Sequence, residues 1–207
     1  MEQNRDLIRA ALEISETLIK VKPLESKIRD IVEGIEEIIE ADWVSLIRLD
    51  TSRLELVDIY LSGRGPELSV PDTYEEFMEG LTGWVIEHGE SVLSNNAEDD
   101  PRESEEVRRR RVQNGLGSVM VTPIDIERGI VGTITAIRGF DREPFREEDL
   151  NLLRALTHQA AAAIENSRLY ESLNWELEQR KRAEDGLREK TGELEKALED
   201  KEMLLKE

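Results

Sequence analysis

The last third of this chain constrains its fold more than any other stretch. From Asp149 to Glu207 there is no proline, and the run reads as one helix to its final residue. At 1.5 Å per residue such a helix is roughly 90 Å long, several times the radius of any domain the remaining residues build. It cannot bury its apolar stripe on its own domain, so it requires a partner.

The stripe has the matching pattern. Leu156, Ala163, Tyr170, Leu173, Leu177, Leu187, Leu194, Leu198 and Leu205 fit one alternating 4-3 spacing, the seam of a left-handed coiled coil. Ala160, Ala161, Ala162 and Ile164 add a second small apolar face, which predicts packing on a globular body. From about Leu173 only the narrow seam remains. Arg180, Glu184, Thr191 and Lys201 fall at seam positions and weaken the coil. They either set its register and leave it marginally held, as suits a transmitter, or make it merely imperfect.

Composition narrows the functional classes. The 207 residues permit one domain with helical extensions or two small domains, and Leu, Ile and Val between residues 24 and 164 suffice for one core. The absence of cysteine removes disulfides, thiol nucleophiles, zinc–thiolate sites, iron–sulfur clusters and thioether-linked chromophores together. A net charge of −19 disfavours nucleic acid and anionic membrane as partners. No apolar run reaches membrane-spanning length, and the N-terminus lacks a signal peptide's basic and apolar regions, so a cytoplasmic location is expected.

Taken in order, Leu7, Ala11, Ile14, Leu18 and Val21 give an N-terminal helix over 1–22 with its own seam, interrupted by Pro23. A second helix carries Leu24, Ile28, Ile31, Ile35 and Ile38 on one face and ends at Ala41–Asp42. Strands are expected over 43–49 and 54–61, joined through Asp50–Thr51–Ser52. Asp72–Thr73 caps a short helix through Met78, and Gly80 to His88 forms another. A brief strand covers 91–94, a polar loop 95–102, and a helix 104–113 with a partial capping box at Ser104. Two more strands cover 118–124 and 130–138, turned at Glu127–Arg128–Gly129. In the last strand Ile130, Ile134 and Ala136 face one way, and Val131, Thr133, Thr135 and Ile137 the other. Both faces are largely apolar, so the sheet is expected to be covered on both sides. The long helices make one cover. Residues 62–117 make the other, and a loose cover of that length is how a small-molecule pocket reads in sequence.

Several local runs occur together and in this order. They are Gly80–Leu81–Thr82–Gly83–Trp84–Val85, Gly89–Glu90–Ser91–Val92, Asp100–Pro101–Arg102, Val131–Gly132, and Phe145 with Asp149 opening the long helix. The closing run is Ala162–Ala163–Ile164–Glu165–Asn166–Ser167–Arg168–Leu169–Tyr170. With them the chain resembles a GAF domain from about Leu24 to Tyr170. That resemblance implies an α+β, PAS-like fold, an antiparallel sheet with helices on both faces, and a ligand pocket in a regulatory module. The implied organisation is a signalling helix at 1–22, a sensor domain at 23–168 and a coiled-coil connector at 169–207. Bilin-binding members and the free methionine sulfoxide reductases of the family need cysteines, which are absent here, and no haem is expected. Cyclic-nucleotide-binding members resemble Asn-Lys…Phe-x-x-x-Asp-Glu. Phe145 and Asp149 keep the spacing, but Leu150 replaces the Glu and no Asn-Lys pair precedes it. Residues 177–207 resemble the connector ahead of the phosphoacceptor helix in sensor histidine kinases, notably Glu178–Gln179–Arg180–Lys181–Arg182–Ala183–Glu184 and Lys201–Glu202–Met203–Leu204–Leu205–Lys206–Glu207. This resemblance implies a sensor fragment that ends just before a catalytic part.

Other candidates read as structural. His158 matches the closing helix of the resembled family and not a kinase histidine box. His88 stands without a second ligand nearby. Glu98, Asp99 and Asp100 lack the glycine-punctuated spacing of a cation loop. Arg108 to Arg111 point in four directions around a helix and are expected to form a solvated face, with Glu105 and Glu106 pairing Arg109 and Arg110, although one arginine is free to turn inward to meet an anionic ligand. Tyr74, Phe77, Met78, Trp84, Val92 and Met120 are the expected pocket lining. Leu173, Leu177, Leu187, Leu194, Leu198 and Leu205 are the expected dimer contacts. The expected function is a non-catalytic sensor held as a parallel homodimer. It would bind an unidentified small ligand or partner and drive a C-terminal histidine kinase. A ligand-free scaffold and the sensor of a cyclic-dinucleotide synthase are the alternatives.

Overall fold

The computed structural model describes residues 24–63, 71, 73–127 and 129–204. The N-terminal helix expected over 1–22 and the seam residue Leu205 lie outside them. Among the described residues, β1 (Trp43–Asp50), β2 (Glu55–Gly63), β3 (Val92–Ser94), β4 (Leu116–Ile126) and β5 (Gly129–Gly139) form one antiparallel sheet in the order β2-β1-β5-β4-β3. The β1–β2 hairpin closes because Asp50 Oδ1 accepts from the Ser52 and Arg53 amides at 3.0 and 3.1 Å. At Gly132 the two central strands approach so closely that a Cβ would lie 2.0 Å from the Ile47 carbonyl oxygen. Strands β4 and β5 run further than 118–124 and 130–138, because their ladder continues from Leu116↔Gly139 to Ile126↔Gly129.

Strand alternation divides the core. Val44, Ala136 and Met120 form one row across β1, β5 and β4, and Leu46, Ile134 and Thr122 form the next. That face meets α1 (Leu24–Ile39) and the first turns of α5 (Glu147–Leu204). Helix α1 buries Ile28, Ile31, Val32, Ile35 and Ile39, spaced so that one stripe faces the sheet. Helix α5 contributes Leu150, Leu153, Leu156, Ala160, Ala161, Ala163 and Ile164. Its Thr157 hydroxyl meets that of Thr122 at 2.6 Å and donates to the Leu153 carbonyl at 2.8 Å. The helix begins at Glu147, two residues before the expected Asp149. The reason is local: the Asp149 carboxylate reaches back to accept from the Arg146 amide at 2.8 Å, closing the first turn.

The opposite face of the sheet is covered by α2 (Tyr74–Met78), α3 (Leu81–His88) and α4 (Glu105–Gln113). The fold is thus the expected α+β arrangement, a five-stranded antiparallel sheet between helical layers. The chain divides into two compact units between Glu165 and Asn166. In the second unit Leu169, Tyr170, Leu173, Trp175, Leu177, Leu187 and Leu194 are all exposed in the single chain. Among the described residues no helix is long and apolar enough to cross a membrane.

Phe145 enters the core just before α5, 1% exposed, with the Arg138 guanidinium 4.2 Å from its ring centre. Phe145→Ala is expected to lower stability by about 3–5 kcal/mol in urea denaturation. A loss below about 1 kcal/mol would contradict the packing described.

Candidate functional site

Between the sheet and α2–α4 lies a cavity of about 150 Å³. Its floor follows from register. Trp43, Ile137 and Val119 form one row and Ser45, Thr135 and Val121 the next, with Ile47 beyond. Phe77 of α2, Leu81 and Thr82 of α3, and Val107, Arg110 and Arg111 of α4 form the cover.

The cover is held by local chemistry. Thr73 caps α2, its hydroxyl accepting from the Glu76 amide at 3.3 Å. Gly89 closes α3 at φ 70, a left-handed C-cap. Gly83 lets α3 touch the end of α2, since a Cβ there would lie 2.2 Å from the Met78 carbonyl oxygen. Ser104 caps α4, accepting from the Val107 amide at 3.2 Å, and its own amide donates to the Glu79 carbonyl at 2.9 Å. The three short helices are therefore tied end to end.

Arg111 is the charged centre of the site. Its side chain is 5% exposed and pairs with the Glu103 carboxylate, which is 3% exposed. Nη1 also donates to Ser94 Oγ at 3.0 Å, and Nη2 to the Gly117 carbonyl at 3.0 Å. Burial pushes the Glu103 carboxyl above its ordinary range, and Arg111 draws it back only in part. Nearby, Arg102 grips Asp100 with two hydrogen bonds of 2.7 and 2.8 Å. Burial pushes the Asp100 carboxyl up, but hydrogen bonds from Arg102, Ser94 and the Arg102 amide outweigh it and bring it down to about 2.

The arginine run departs from the expected solvated face. Arg109 pairs with Glu106 one turn away. Arg108 instead donates to the Asp100 and Glu103 carbonyls at 3.0 and 2.8 Å, Arg110 lines the cavity and Arg111 is buried. The run lies against the 100–103 loop and Ser94, which take up the inward guanidiniums. Asp100 is engaged by Arg102 and does not join Glu98 and Asp99 in a cation loop.

Of the expected lining residues, Phe77 lines the cavity. Met120 is corrected: it lies between Val119 and Val121 on β4, so its side chain is buried on the opposite face with α1 and α5. Val92 is buried behind Val121, its pairing partner. Tyr74 packs near Phe77, and Trp84 is stacked on His88 at 4.2 Å between ring centres; neither lines the cavity, nor does Met78. His88 is exposed and its Nδ1 sits 2.8 Å from the Trp84 carbonyl oxygen. His158 is exposed on α5. The lining residues Trp43, Ser45, Thr135 and Ile137 had a signal in the alternation of β1 and β5. Glu103 and Arg111 had none, because their burial depends on each other.

The profile of the family described as GAF domain matches residues 22–165. The chain belongs to the GAF-domain family. The GAF fold is shared with several solved structures. The GAF domain of a phosphoenolpyruvate-protein phosphotransferase from Coxiella burnetii is 21% identical at a TM-score of 0.64, covering 81% of this chain and 98% of that one. Free methionine-R-sulfoxide reductase from Neisseria meningitidis, solved with its substrate, is 19% identical at 0.62, covering 81% and 91%. The second GAF domain of DevS from Mycobacterium smegmatis is 19% identical at 0.54, covering 70% and 95%. No curated protein matches the chain in sequence.

Two outcomes follow for this GAF domain. Arg111→Met leaves the Glu103 carboxylate buried alone and is expected to lower stability by about 3–5 kcal/mol, whereas adding Glu103→Leu should restore most of the loss. Equal stability of the single and double variants in urea would contradict the ion pair's role. The depressed Asp100 carboxyl contributes stability above its ordinary 3.8 that is lost as pH falls toward about 2. Asp100→Asn should flatten that acid limb in a pH series of thermal midpoints, and an unchanged limb would contradict the assignment.

Proposed function

We propose that this GAF domain is a cytoplasmic, non-catalytic sensor that binds a small ligand in the cavity under α2–α4. In this reading it forms a parallel homodimer through the seam of α5 and passes the signal along that coil to a histidine kinase module. The observation that carries the reading is one continuous set of bonds. Arg111 lines the cavity and holds Ser94, and the next residue, Asn95, donates to the Phe145 carbonyl at 3.0 Å. The Phe145 amide donates to Ser118 Oγ at 2.9 Å, and Ser118 in turn bonds Asn95. Phe145 lies two residues before α5 begins. A ligand that favours one position of Arg111 thereby biases the start of the long helix, which is all a ligand needs to select between two helix arrangements.

The exposed seam supports the dimer. Leu173, Leu177, Leu187 and Leu194 follow coiled-coil spacing and are more than half exposed in the single chain. A reductase activity like that of the Neisseria neighbour is not proposed, since the chain has no cysteine. A filled cavity acting only as a scaffold is the rival reading, and a cyclic-dinucleotide synthase is the rival output.

Replacing Leu187 and Leu194 with Asn should weaken the dimer at least tenfold in sedimentation equilibrium while the GAF domain stays folded by circular dichroism. An unchanged dimer would contradict the seam. Native mass spectrometry of the protein as purified should show a small bound molecule, and calorimetry with that molecule should saturate. Failure of both would favour the scaffold.

A further inference from the structure

Among the described residues, three buried polar atoms on side chains of the cavity lining have no hydrogen-bond partner: Trp43 Nε1, Thr135 Oγ1 and Arg111 Nε. Each is more than nine-tenths buried, Trp43 and Thr135 at 8% exposed and Arg111 at 5%. A polar atom left in this state has lost its hydrogen bonds to water with nothing in return. Three around one small cavity read as a site awaiting a partner. Two are obligate N–H donors, and the third is a hydroxyl that donates or accepts. The missing partner must therefore supply acceptors.

The placement is fixed in advance. Trp43 and Thr135 sit on adjacent central strands, on the cavity side by register. The terminal nitrogens of Arg111 are held by Glu103, Ser94 and Gly117, which leaves Nε as its one free donor. Charge then separates the kinds of acceptor. The lining carries the guanidiniums of Arg110 and Arg111 and the carboxylates of Glu76 and Glu103, a formally balanced set. Arg111 is already neutralised, and the buried Glu103 carboxylate repels an anion. Size separates them further. A cavity of about 150 Å³ holds a molecule of roughly benzene size.

Resting on the reading that this cavity is the ligand site, we propose that its ligand is a small uncharged molecule with an amide or lactam carbonyl. The carbonyl accepts from Trp43 Nε1 and Arg111 Nε, and the apolar part of the ligand lies on Val119, Ile137 and Phe77. A ligand amide N–H would donate to Thr135 Oγ1.

The test uses the full chain and three probes of equal heavy-atom count: 2-pyrrolidinone, butyrate and benzene. The readout is the Trp43 indole N–H resonance in ¹⁵N-labelled protein, assigned with Trp43→Phe, with Trp84 and Trp175 as internal controls. 2-Pyrrolidinone should move it saturably at millimolar concentration, and butyrate should not. Thr135→Val should weaken lactam binding roughly three- to tenfold without lowering the thermal midpoint, because it removes an unpartnered buried hydroxyl. Butyrate binding as well as the lactam would overturn the proposal, as would an unchanged affinity in Thr135→Val. Benzene binding without the lactam would leave the ligand cavity standing and sink the ligand class. Binding of none of the three would count against both.

Discussion

Everything in the globular unit depends on the alternation of side chains along β1, β5 and β4. Where β1 pairs with β5, from Trp43↔Ile137 to Arg48↔Gly132, the fixed antiparallel register sends even-numbered residues into one layer and odd-numbered ones into the other. The first layer receives α1 and the start of α5. The second becomes the floor of a cavity. A slip of one residue would exchange the two layers, placing Leu46 and Ile134 under the short helices and Ser45 and Thr135 under α5. Fold and site are consequences of the same register.

The cavity cover shows how polar groups are managed where no sheet or long helix can satisfy them. Ser104, Thr73 and Gly89 end or begin short helices with their own backbone partners. The inward arginines then take up the carbonyls and carboxylates of the 100–103 loop. The buried Arg111–Glu103 pair adds little net stability by itself, because desolvation offsets its attraction. What it contributes is position: a guanidinium fixed between the cavity and Ser94. From there, hydrogen bonds through Asn95 and Ser118 reach Phe145 at the threshold of the long helix.

Much of this was readable beforehand. The hairpins, the caps at Ser104 and Thr73 and the two-sided burial of β5 follow from local chemistry and spacing. The alternation places Thr135 and Ile137 opposite Ile134 and Ala136, as expected, but Val131, expected on the side of Thr135, packs with Ile134 and Ala136 instead, because the register shift between Ile124 and Asp125 leaves it as an extra residue in the ladder. Met120, expected in the lining, lies between Val119 and Val121, and alternation turns it to the opposite face. The arginine run, expected on a solvated face with one member free to turn inward, keeps Arg109 outside with Glu106 and buries Arg111. Whether Arg111 faces water or the interior is decided by Glu103 and Ser94, 8 and 17 residues away, and helical spacing carries no trace of them. The start of α5 moved by two residues because one side chain, Asp149, reaches back to the Arg146 amide.

The central claim is that the cavity and the long helix are joined through Arg111, Ser94, Asn95 and Phe145. Amide hydrogen exchange in the Arg111→Met, Glu103→Leu double variant tests it most directly, because that variant loosens the grip on Ser94 without orphaning a charge. The account predicts faster exchange at Leu150 to Leu153 in α5, with Ile31 to Ile35 in α1 unchanged. Equal exchange in the variant and the wild-type protein at both places would contradict it.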